Sequence, residues 1–287
     1  MGKTLPSNAV LTVLMMAVVA LLNAVDAVIV RLLAGEVHAF IIAFFRALFG
    51  FLFMLPWILR RVTMGASPYF WMHFLRAALK LASLIALFIA YQRASLPDAT
   101  AIVFSLPLFV MIGAWVFLGE AIGGAHVVAL LAGLVGMLVI IQPGRDGFDP
   151  ALFYALAGAV LTAVIQLMLK RMAAHDAADR LVAWNLFAMS ILSAILAVLV
   201  WKAPTMLQLA FLLLQGVLGV ANQALITKAM RISHASFVGP LDFMRLPAVA
   251  LLAWACFGEV AGLSTWIGAV LIFASVVAVT QSARRKG

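Results

Sequence analysis

The sequence predicts an all-α integral membrane protein whose ten transmembrane helices form two inverted five-helix repeats. Of the 287 residues, 67% are hydrophobic and only 10% are charged, and the mean hydropathy is +1.19. Lipid can cover this much apolar surface, whereas the interior of a soluble domain of 30.7 kDa cannot. The heptad AWVFLGE at 114–120 returns as AWACFGE at 253–259, which is 139 residues later. Each copy carries five apolar runs, and this odd number makes the second copy cross the bilayer in the opposite sense.

Each predicted span is an apolar run of about 20 residues, the length that crosses the hydrocarbon core. Spans 1 to 10 are placed at residues 9–32, 40–59, 70–91, 97–118, 124–141, 151–169, 181–201, 207–227, 236–257 and 263–280. We therefore expect a first repeat at residues 9–142, a linker at 143–150 and a second repeat at 151–281. The connections are short, so no separate extramembrane domain is expected.

The first span is interpreted as a retained helix and not as a signal peptide. Its apolar run is too long for a signal sequence and contains Asn23 and Asp26. With a cytoplasmic N-terminus, eleven Lys and Arg residues fall inside and four fall outside, at Arg31, Arg93, Arg145 and Lys202. Positive charge is enriched in cytoplasmic loops, so both termini are predicted to be cytoplasmic.

The net charge of +9 belongs to these dispersed loops and does not form one basic surface. We therefore expect the lipid bilayer and a small molecule as partners, and no nucleic acid. The sequence leaves the oligomeric state open, a monomer included.

Charged residues inside the predicted spans are the first candidates for a substrate cavity. They are Asp26, Arg46, Arg76, Lys80, Asp242 and Arg245. A charge near the bilayer centre costs at least about 2.5–3.5 kcal/mol, so such side chains normally face protein or a wet cavity. Simpler explanations stay open: Arg46 and Arg76 can snorkel to the membrane surface, and Asp242 and Arg245 can form a local pair at i, i+3.

Uncharged polar and aromatic residues extend this candidate set. They are Gln166, Trp184, Asn185, Asn222 and Gln223. Any single amide can instead serve as an interhelical hydrogen bond worth about 0.6 kcal/mol. Spans 5 and 10 contain almost no strongly polar residue, and span 5 has a ridge of Ala129, Gly133 and Gly136. These two spans are predicted to be peripheral scaffold.

Prolines mark spans 4 and 9 as interrupted helices. Pro107 lies in span 4, and Pro240 and Pro247 lie in span 9. Each removes a backbone donor and disturbs a helix, and the 139-residue offset brings Pro107 within one position of Pro247. Breaks at corresponding places in two repeats point to a transport site, so these spans are predicted to be cavity walls with the prolines at the gating breaks.

Several chemistries are not supported by the sequence. There is no phosphate-binding G-x-x-x-x-G-K-[ST] stretch. The five histidines are scattered without metal-ligand spacing, and Cys256 is alone, so no internal disulfide can form. We expect no catalytic residue, no metal and no cofactor, and we conclude that the chain is not an enzyme.

Ten apolar helices in two repeats, each with A-W-x-x-x-G-E at the end of its fourth span, resemble the drug/metabolite transporter superfamily. Within it the chain is similar to EamA-type exporters, and among these to bacterial amino-acid exporters of the YddG type. The resemblance implies a carrier of the bacterial inner (plasma) membrane that alternates access around a central cavity, with spans 4 and 9 beside it. Arg46 fits the family's arginine early in the second helix.

The leading hypothesis is export of amino acids, aromatic or hydrophobic ones included, or of related small metabolites. Arg46, Lys80 or Arg245 could bind a substrate carboxylate, and Asp26 or Asp242 an ammonium group. Asp26 is the first candidate for proton coupling. The alternatives are a broad drug and metabolite efflux carrier, an uncoupled facilitator, or a membrane receptor or subunit without transport.

Overall fold

The computed structural model describes residues 6–61, 70–118, 124–142, 149–172, 178–232 and 241–286. Within these ranges the chain forms eleven α-helices and one 3₁₀ turn. They are α1 (Pro6–Leu32), α2 (Ala39–Arg61), α3 (Phe70–Arg93), α4 (Leu96–Val103), α5 (Leu106–Leu118), α6 (Gly124–Ile141), α7 (Leu152–Met172), α8 (Ala178–Leu199), α9 (Met206–Ile232), the 3₁₀ turn Asp242–Met244, α10 (Arg245–Phe257) and α11 (Leu263–Lys286).

The prediction of an all-α membrane protein is confirmed. Six segments of the described chain are long and apolar enough to cross a bilayer, with α4 and α5 together forming one of them. Shorter apolar helices lie within α6, α8 and α11. Large apolar side chains cover the outside of the bundle, for example Trp71 with 80% and Val128 with 68% of the side chain exposed. Lipid is the solvent that such a surface requires.

Span 4 is broken into two helices, as its proline predicts. α4 ends at Val103 and α5 begins at Leu106, so Pro107 lies in the first turn of α5, where its missing N–H is harmless. Ser105 satisfies one backbone acceptor at the break, since its Oγ donates to the carbonyl oxygen of Ile102 at 2.6 Å. The interruption brings Phe104 to the middle of the span.

Span 9 is also interrupted within its described part. The predicted start at residue 236 lies outside the described residues; Leu241 is helical, the 3₁₀ turn Asp242–Met244 follows, and α10 starts at Arg245. Pro247 therefore lies in the first turn of α10. Pro240 lies outside the described residues.

Spans 5 and 10 pack against each other through bare backbone. A Cβ on Gly136 of α6 would lie 2.8 Å from the carbonyl oxygen of Gly268 in α11. A Cβ on Gly268 would lie 2.5 Å from the carbonyl oxygen of Gly136. Only glycine permits this approach. The outer sides of both helices are apolar, with Leu131 and Val270 more than half exposed, so the pair lies beside the bundle as the sequence predicted.

Side-chain contacts repeat with the 139-residue offset. Nδ2 of Asn222 on α9 donates to Oδ1 of Asn23 on α1 at 3.1 Å. The residues at the equivalent positions, Ser83 on α3 and Thr162 on α7, have their hydroxyl oxygens 2.8 Å apart. The two repeats thus make the same polar contact with each other twice.

One contact lies on the pseudo-two-fold axis itself. Phe104 and Phe243 are equivalent residues, and their rings stack with centroids 4.2 Å apart at an interplanar angle of 19°. Equivalent residues that touch must lie at the axis that relates the repeats. The irregular centres of spans 4 and 9 therefore meet at the middle of the molecule, which is where transporters of this architecture hold substrate.

The two ends of the bundle carry different residues. The Arg31 end is the end of the bundle at which helices α1, α3 and α10 finish. The Arg60 end is the opposite end, at which α2 finishes and α3 begins. The Lys and Arg distribution predicts the Arg31 end to be periplasmic and the Arg60 end to be cytoplasmic.

Candidate functional site

The interior face of α3 carries an exposed lysine. Exposed residues at one side of this helix are Trp71, Leu75, Ala78 and Ala82, spaced as one lipid-facing stripe. Lys80 is also exposed, but it projects from the opposite side of the helix. Its exposure shows that the helices leave open space between them at this level, which we call the central cleft.

Gln166 on α7 lies at the same cleft, nearer to the Arg60 end. One side of α7 contacts α3 through Thr162, and another contacts α5, where Leu167 lies against Gly113. Gln166 is exposed between these two sides and opposite the lipid-facing stripe of α7. The cleft therefore extends from the level of Lys80 toward the Arg60 end.

Arg46 on α2 lies where four helices meet. It forms an ion pair with Asp26 on α1 through Nη1 and Oδ1, and the two side chains are 21% and 14% exposed. Its Cζ is 5.8 Å from the ring centroid of Phe88 on α3. Its Nη2 is 3.4 Å from the place where a Cβ on Gly219 of α9 would stand. A larger side chain at 219 would thus compete with the guanidinium for space.

A second acid–arginine pair comes from the start of α10. Nη2 of Arg245 and Oδ2 of Asp242 are 3.7 Å apart. Cζ of Arg245 lies over the ring of Phe104, 5.0 Å from its centroid. Arg245 is also within electrostatic range of Asp26 and Tyr91. The charged residues of spans 1, 2 and 9 therefore form one group around the pseudo-two-fold axis.

This group has an excess of positive charge. Each carboxylate has an arginine partner, whereas Lys80 and Arg76 form no ion pair with any residue that the structure describes. Lys80 is also within electrostatic range of both Arg46 and Arg76. Within the part of the chain that the structure describes, four cations (Arg46, Arg76, Lys80 and Arg245) stand against two carboxylates (Asp26 and Asp242), which favours a substrate with an anionic or electron-rich group.

Some buried polar atoms near the cleft lack a partner among the described residues. They are Nε of Arg245, Oε1 of Gln215 and Oδ1 of Asn222. Most buried polar atoms in proteins are hydrogen-bonded, so unpaired ones invite an explanation. These atoms belong to α9 and α10, so both helices carry polar groups that the described residues leave unsatisfied.

Three predicted residues belong to the contact between α3 and α8. Arg76 is only 5% exposed, and its Nη2 donates to the carbonyl oxygen of Leu181 at 2.6 Å. Nδ2 of Asn185 contacts Sδ of Met189 within α8 at 3.5 Å. Trp184 stacks on His73 with centroids 5.8 Å apart. The contacts of Arg76 and Trp184 hold α8 against α3, and that of Asn185 lies within α8. The side chain of Gln223 lies outside the described residues.

Sequence reasoning missed Phe88, Phe104 and Gly219 as parts of the site. Phe88 and Gly219 surround Arg46, and Phe104 supports Arg245. Comparing the copies residue by residue would have singled out two of them. The offset pairs Phe104 with Phe243, and it pairs Lys80 with Gly219. No comparable signal marks Phe88.

Comparison with known families and proteins gives consistent results. A profile of the EamA-like transporter family matches residues 10–142 and 149–281, two segments whose limits differ by the same 139 residues. A riboflavin transporter of Rhizobium johnstonii is 30% identical over 85% of this chain and 82% of its own length. An S-adenosylmethionine uptake transporter of Rickettsia bellii is 27% identical over 89% and 88%. Solute carrier family 35 member G1 of the mouse is 29% identical over 91% and 76%.

A solved crystal structure has the same fold. It superposes with a TM-score of 0.61 over 97% of this chain and 96% of its own, at 19% identity. At this identity the likeness concerns the fold alone.

Proposed function

Since the chain belongs to the EamA-like transporter family and is a multi-pass membrane transporter, we propose that it carries a heteroaromatic metabolite of the riboflavin type across the bacterial inner membrane. Transport proceeds by alternating access, with both termini in the cytoplasm. The proposal replaces amino-acid export as the first hypothesis because relatives with up to 34% identity are named riboflavin transporters.

The observation that carries this proposal is the excess of positive charge around the axis. Arg46 lies beside Phe88, and Arg245 lies over Phe104. The rings of Phe88 and Phe104 are almost fully buried, at 1% and 4% exposed, so it is the planar guanidinium groups that offer faces to a heterocycle. The isoalloxazine ring of riboflavin is planar and has carbonyl oxygens along one edge. Lys80, which has no carboxylate partner among the described residues, is the proposed donor to such an oxygen.

The charge balance separates the candidate substrates. S-adenosylmethionine has a net positive charge at neutral pH, and the excess of cations in the cleft opposes it. Riboflavin is neutral, and its phosphate ester is anionic. The cleft is therefore expected to bind flavin mononucleotide at least as well as riboflavin and S-adenosylmethionine poorly.

An aromatic amino acid is the second candidate, favoured by the presence of both signs of charge. Lys80 would bind the carboxylate, and Asp26 the ammonium group. Asp26 is already paired with Arg46, so the amino acid would have to share that carboxylate. For this reason we rank it second. Asp26 is also the candidate for proton coupling. If substrate flux does not respond to a pH gradient in either the wild type or Asp26→Asn, proton coupling is contradicted.

Ligand-induced stabilisation of the purified protein tests the substrate class. A ligand present at about a hundred times its Kd stabilises the folded state by about 2.7 kcal/mol. Riboflavin and flavin mononucleotide are expected to raise the thermal midpoint in detergent. S-adenosylmethionine and phenylalanine are the comparison ligands. Stabilisation by phenylalanine and not by either flavin would favour the second candidate.

A matched pair of lysine variants locates the binding site. Lys80→Gln removes a cleft cation that has no carboxylate partner among the described residues, and Lys202→Gln removes an exposed lysine in the connection between α8 and α9. The flavin response should fall in Lys80→Gln and persist in Lys202→Gln. An equal response in both variants would place the site elsewhere.

A further inference from the structure

The contact between Asn23 and Asn222 leaves hydrogen-bonding groups unused inside the membrane. Nδ2 of Asn222 on α9 donates to Oδ1 of Asn23 on α1 at 3.1 Å. Oδ1 of Asn222 is sealed from solvent and has no hydrogen-bond partner among the described residues. Nδ2 of Asn23 makes no hydrogen bond with any residue that the structure describes. The pair therefore keeps one acceptor and one donor for a ligand.

The equivalent contact in the other half of the molecule leaves no such group. The 139-residue offset places Asn222 on Ser83 and Asn23 on Thr162. Both hydroxyl groups donate to the carbonyl oxygen of Gly158 at 2.8 Å. Two hydroxyl groups are thus enough to join the helices at this place in the repeat. The two amides add hydrogen-bonding capacity that the helix contact does not use.

Both asparagines point into the bundle. On α1 the exposed residues Leu14 and Leu21 belong to the lipid-facing side, and Asn23 projects from the opposite side of the helix. On α9 the exposed Leu213 faces lipid, and Asn222 again projects from the opposite side. Each asparagine is nevertheless only half-buried. Their partial exposure is therefore to the interior of the bundle, as it is for the lysine of the central cleft.

The amide pair lies one helical turn from the ion pair of Arg46. Asn23 is three residues from Asp26, and Asn222 is three residues from Gly219, which is about 4.5 Å along each helix. Arg46 contacts both Asp26 and the site of Gly219. The carboxylate of Asp26 is already engaged, so the unused acceptor at this place is a neutral amide oxygen. Such an oxygen suits a neutral N–H, whereas an ammonium group binds a carboxylate more strongly.

We propose that Asn23 and Asn222 bind the imide edge of a planar heterocycle, on which a ring N–H lies beside a carbonyl oxygen. Oδ1 of Asn222 accepts from the ring N–H, and Nδ2 of Asn23 donates to the carbonyl oxygen, as asparagine amides bind the edges of nucleic-acid bases. The isoalloxazine ring has such an N–H between two carbonyl oxygens, and Lys80 donates to the second of them. The inference rests on the proposed function, and it names the substrate class of that site as cyclic imides.

Methylation of the ring N–H tests this contact in the wild-type protein. The dissociation constants of riboflavin and of riboflavin methylated at this nitrogen are measured with the purified protein in detergent. Methylation is expected to weaken binding about tenfold, because it removes the hydrogen bond and leaves the buried oxygen of Asn222 unpaired. Uridine and its analogue methylated at the imide nitrogen form a second pair of probes. They have the same N–H between two carbonyl oxygens on a different ring.

A matched pair of variants assigns the contact to Asn222. Asn222→Ala is expected to bind riboflavin about tenfold more weakly than the wild type, and it should no longer distinguish riboflavin from the methylated analogue. Ser83→Ala is the control at the equivalent position of the first repeat. It also loses a hydrogen bond between helices, so it controls for a general loss of packing. Its preference for the unmethylated flavin should stay at about tenfold.

The outcomes separate this inference from the proposed function. Equal affinity of the wild type for riboflavin and its methylated analogue would overturn the imide contact and leave riboflavin as the substrate; this comparison needs no variant to fold. A methylation effect as large in Asn222→Ala as in the wild type would also overturn the assignment. Binding of uridine that methylation weakens, without binding of riboflavin, would reject the flavin and support the imide site. Binding of neither imide would overturn both.

Discussion

Arg46 lies over Gly219, the residue that the repeat pairs with Lys80. Its Nη2 is 3.4 Å from the point where a Cβ on Gly219 would stand. The first repeat thus has a lysine where the second has no side chain, and the guanidinium from α2 fills the place that is left open. The two halves of the cleft present different surfaces, which suits a substrate that is itself asymmetric.

Substitutions at Gly219 should act through Arg46. Alanine adds a methyl group at ordinary contact distance and is expected to reduce uptake less than twofold. Leucine cannot fit without moving the guanidinium away from Asp26, and we expect a loss of uptake of about tenfold, the effect of one charge-assisted bond. Initial uptake rates in proteoliposomes measure both. Equal rates for Gly219→Leu and the wild type would show that Arg46 does not need its present position.

Breaking the Asp26–Arg46 pair should cost more than removing both charges. Asp26→Asn or Arg46→Gln leaves one charge partly buried without its partner, at an expected cost of about 1–3 kcal/mol in unfolding free energy. The double variant loses both charges, so its cost should be well below the sum. Thermal unfolding of the four proteins provides the double-mutant cycle. Additive losses would mean that the two side chains do not stabilise each other.

The glycine contact between α6 and α11 is expected to matter for stability and not for substrate choice. Gly136→Leu or Gly268→Leu forces the two backbones apart, with overpacking costs of about 1–3 kcal/mol or more. Gly124→Leu is the control, because a Cβ there meets nothing within 4 Å. Thermal unfolding and the apparent KM for flavin are compared. A changed KM in Gly136→Leu with an unchanged unfolding midpoint would contradict the scaffold role.

Reversing the charge of Lys80 should alter the preference between substrates. Lys80→Glu makes the count of cations and carboxylates equal at three each, so the excess that opposes S-adenosylmethionine disappears. We expect binding of flavin mononucleotide to weaken about tenfold, because one charge-assisted bond is lost. Binding of S-adenosylmethionine should strengthen. Titrations of both ligands against Lys80→Glu and Lys202→Glu measure the change. If the affinities for the two ligands change equally in Lys80→Glu and Lys202→Glu, the change reflects only the net charge of the protein.

The spans could be predicted because a bilayer imposes a length and an apolar character on every crossing segment. The repeat supplied the topology, since five spans per copy reverse its direction. Within span 9, the 3₁₀ turn Asp242–Met244 was not predicted. Phe243 in this turn stacks on Phe104, a contact that joins residues far apart in the sequence.

The charged residues of the cleft could be named from the sequence because an ion in the membrane must find protein or water. The local pair Asp242–Arg245 could be named in advance, whereas the partners of Arg46 and Arg76 could not. Arg76 and Lys80 are four residues apart on one helix, yet Arg76 bonds a carbonyl oxygen of α8 and Lys80 faces open space. Helix rotation and packing decide this difference, and a single sequence does not contain them. Gly219 was overlooked because it acts through the lack of a side chain, which leaves room for the guanidinium of Arg46.

Counterflow of riboflavin in proteoliposomes tests the central claim most directly. Vesicles are loaded with unlabelled riboflavin, and uptake of labelled riboflavin is followed for the wild type, Lys80→Gln and Lys202→Gln. We expect labelled riboflavin to accumulate with the wild type and Lys202→Gln, and far more slowly with Lys80→Gln. Wild-type vesicles that take up no more riboflavin than protein-free vesicles would contradict the account.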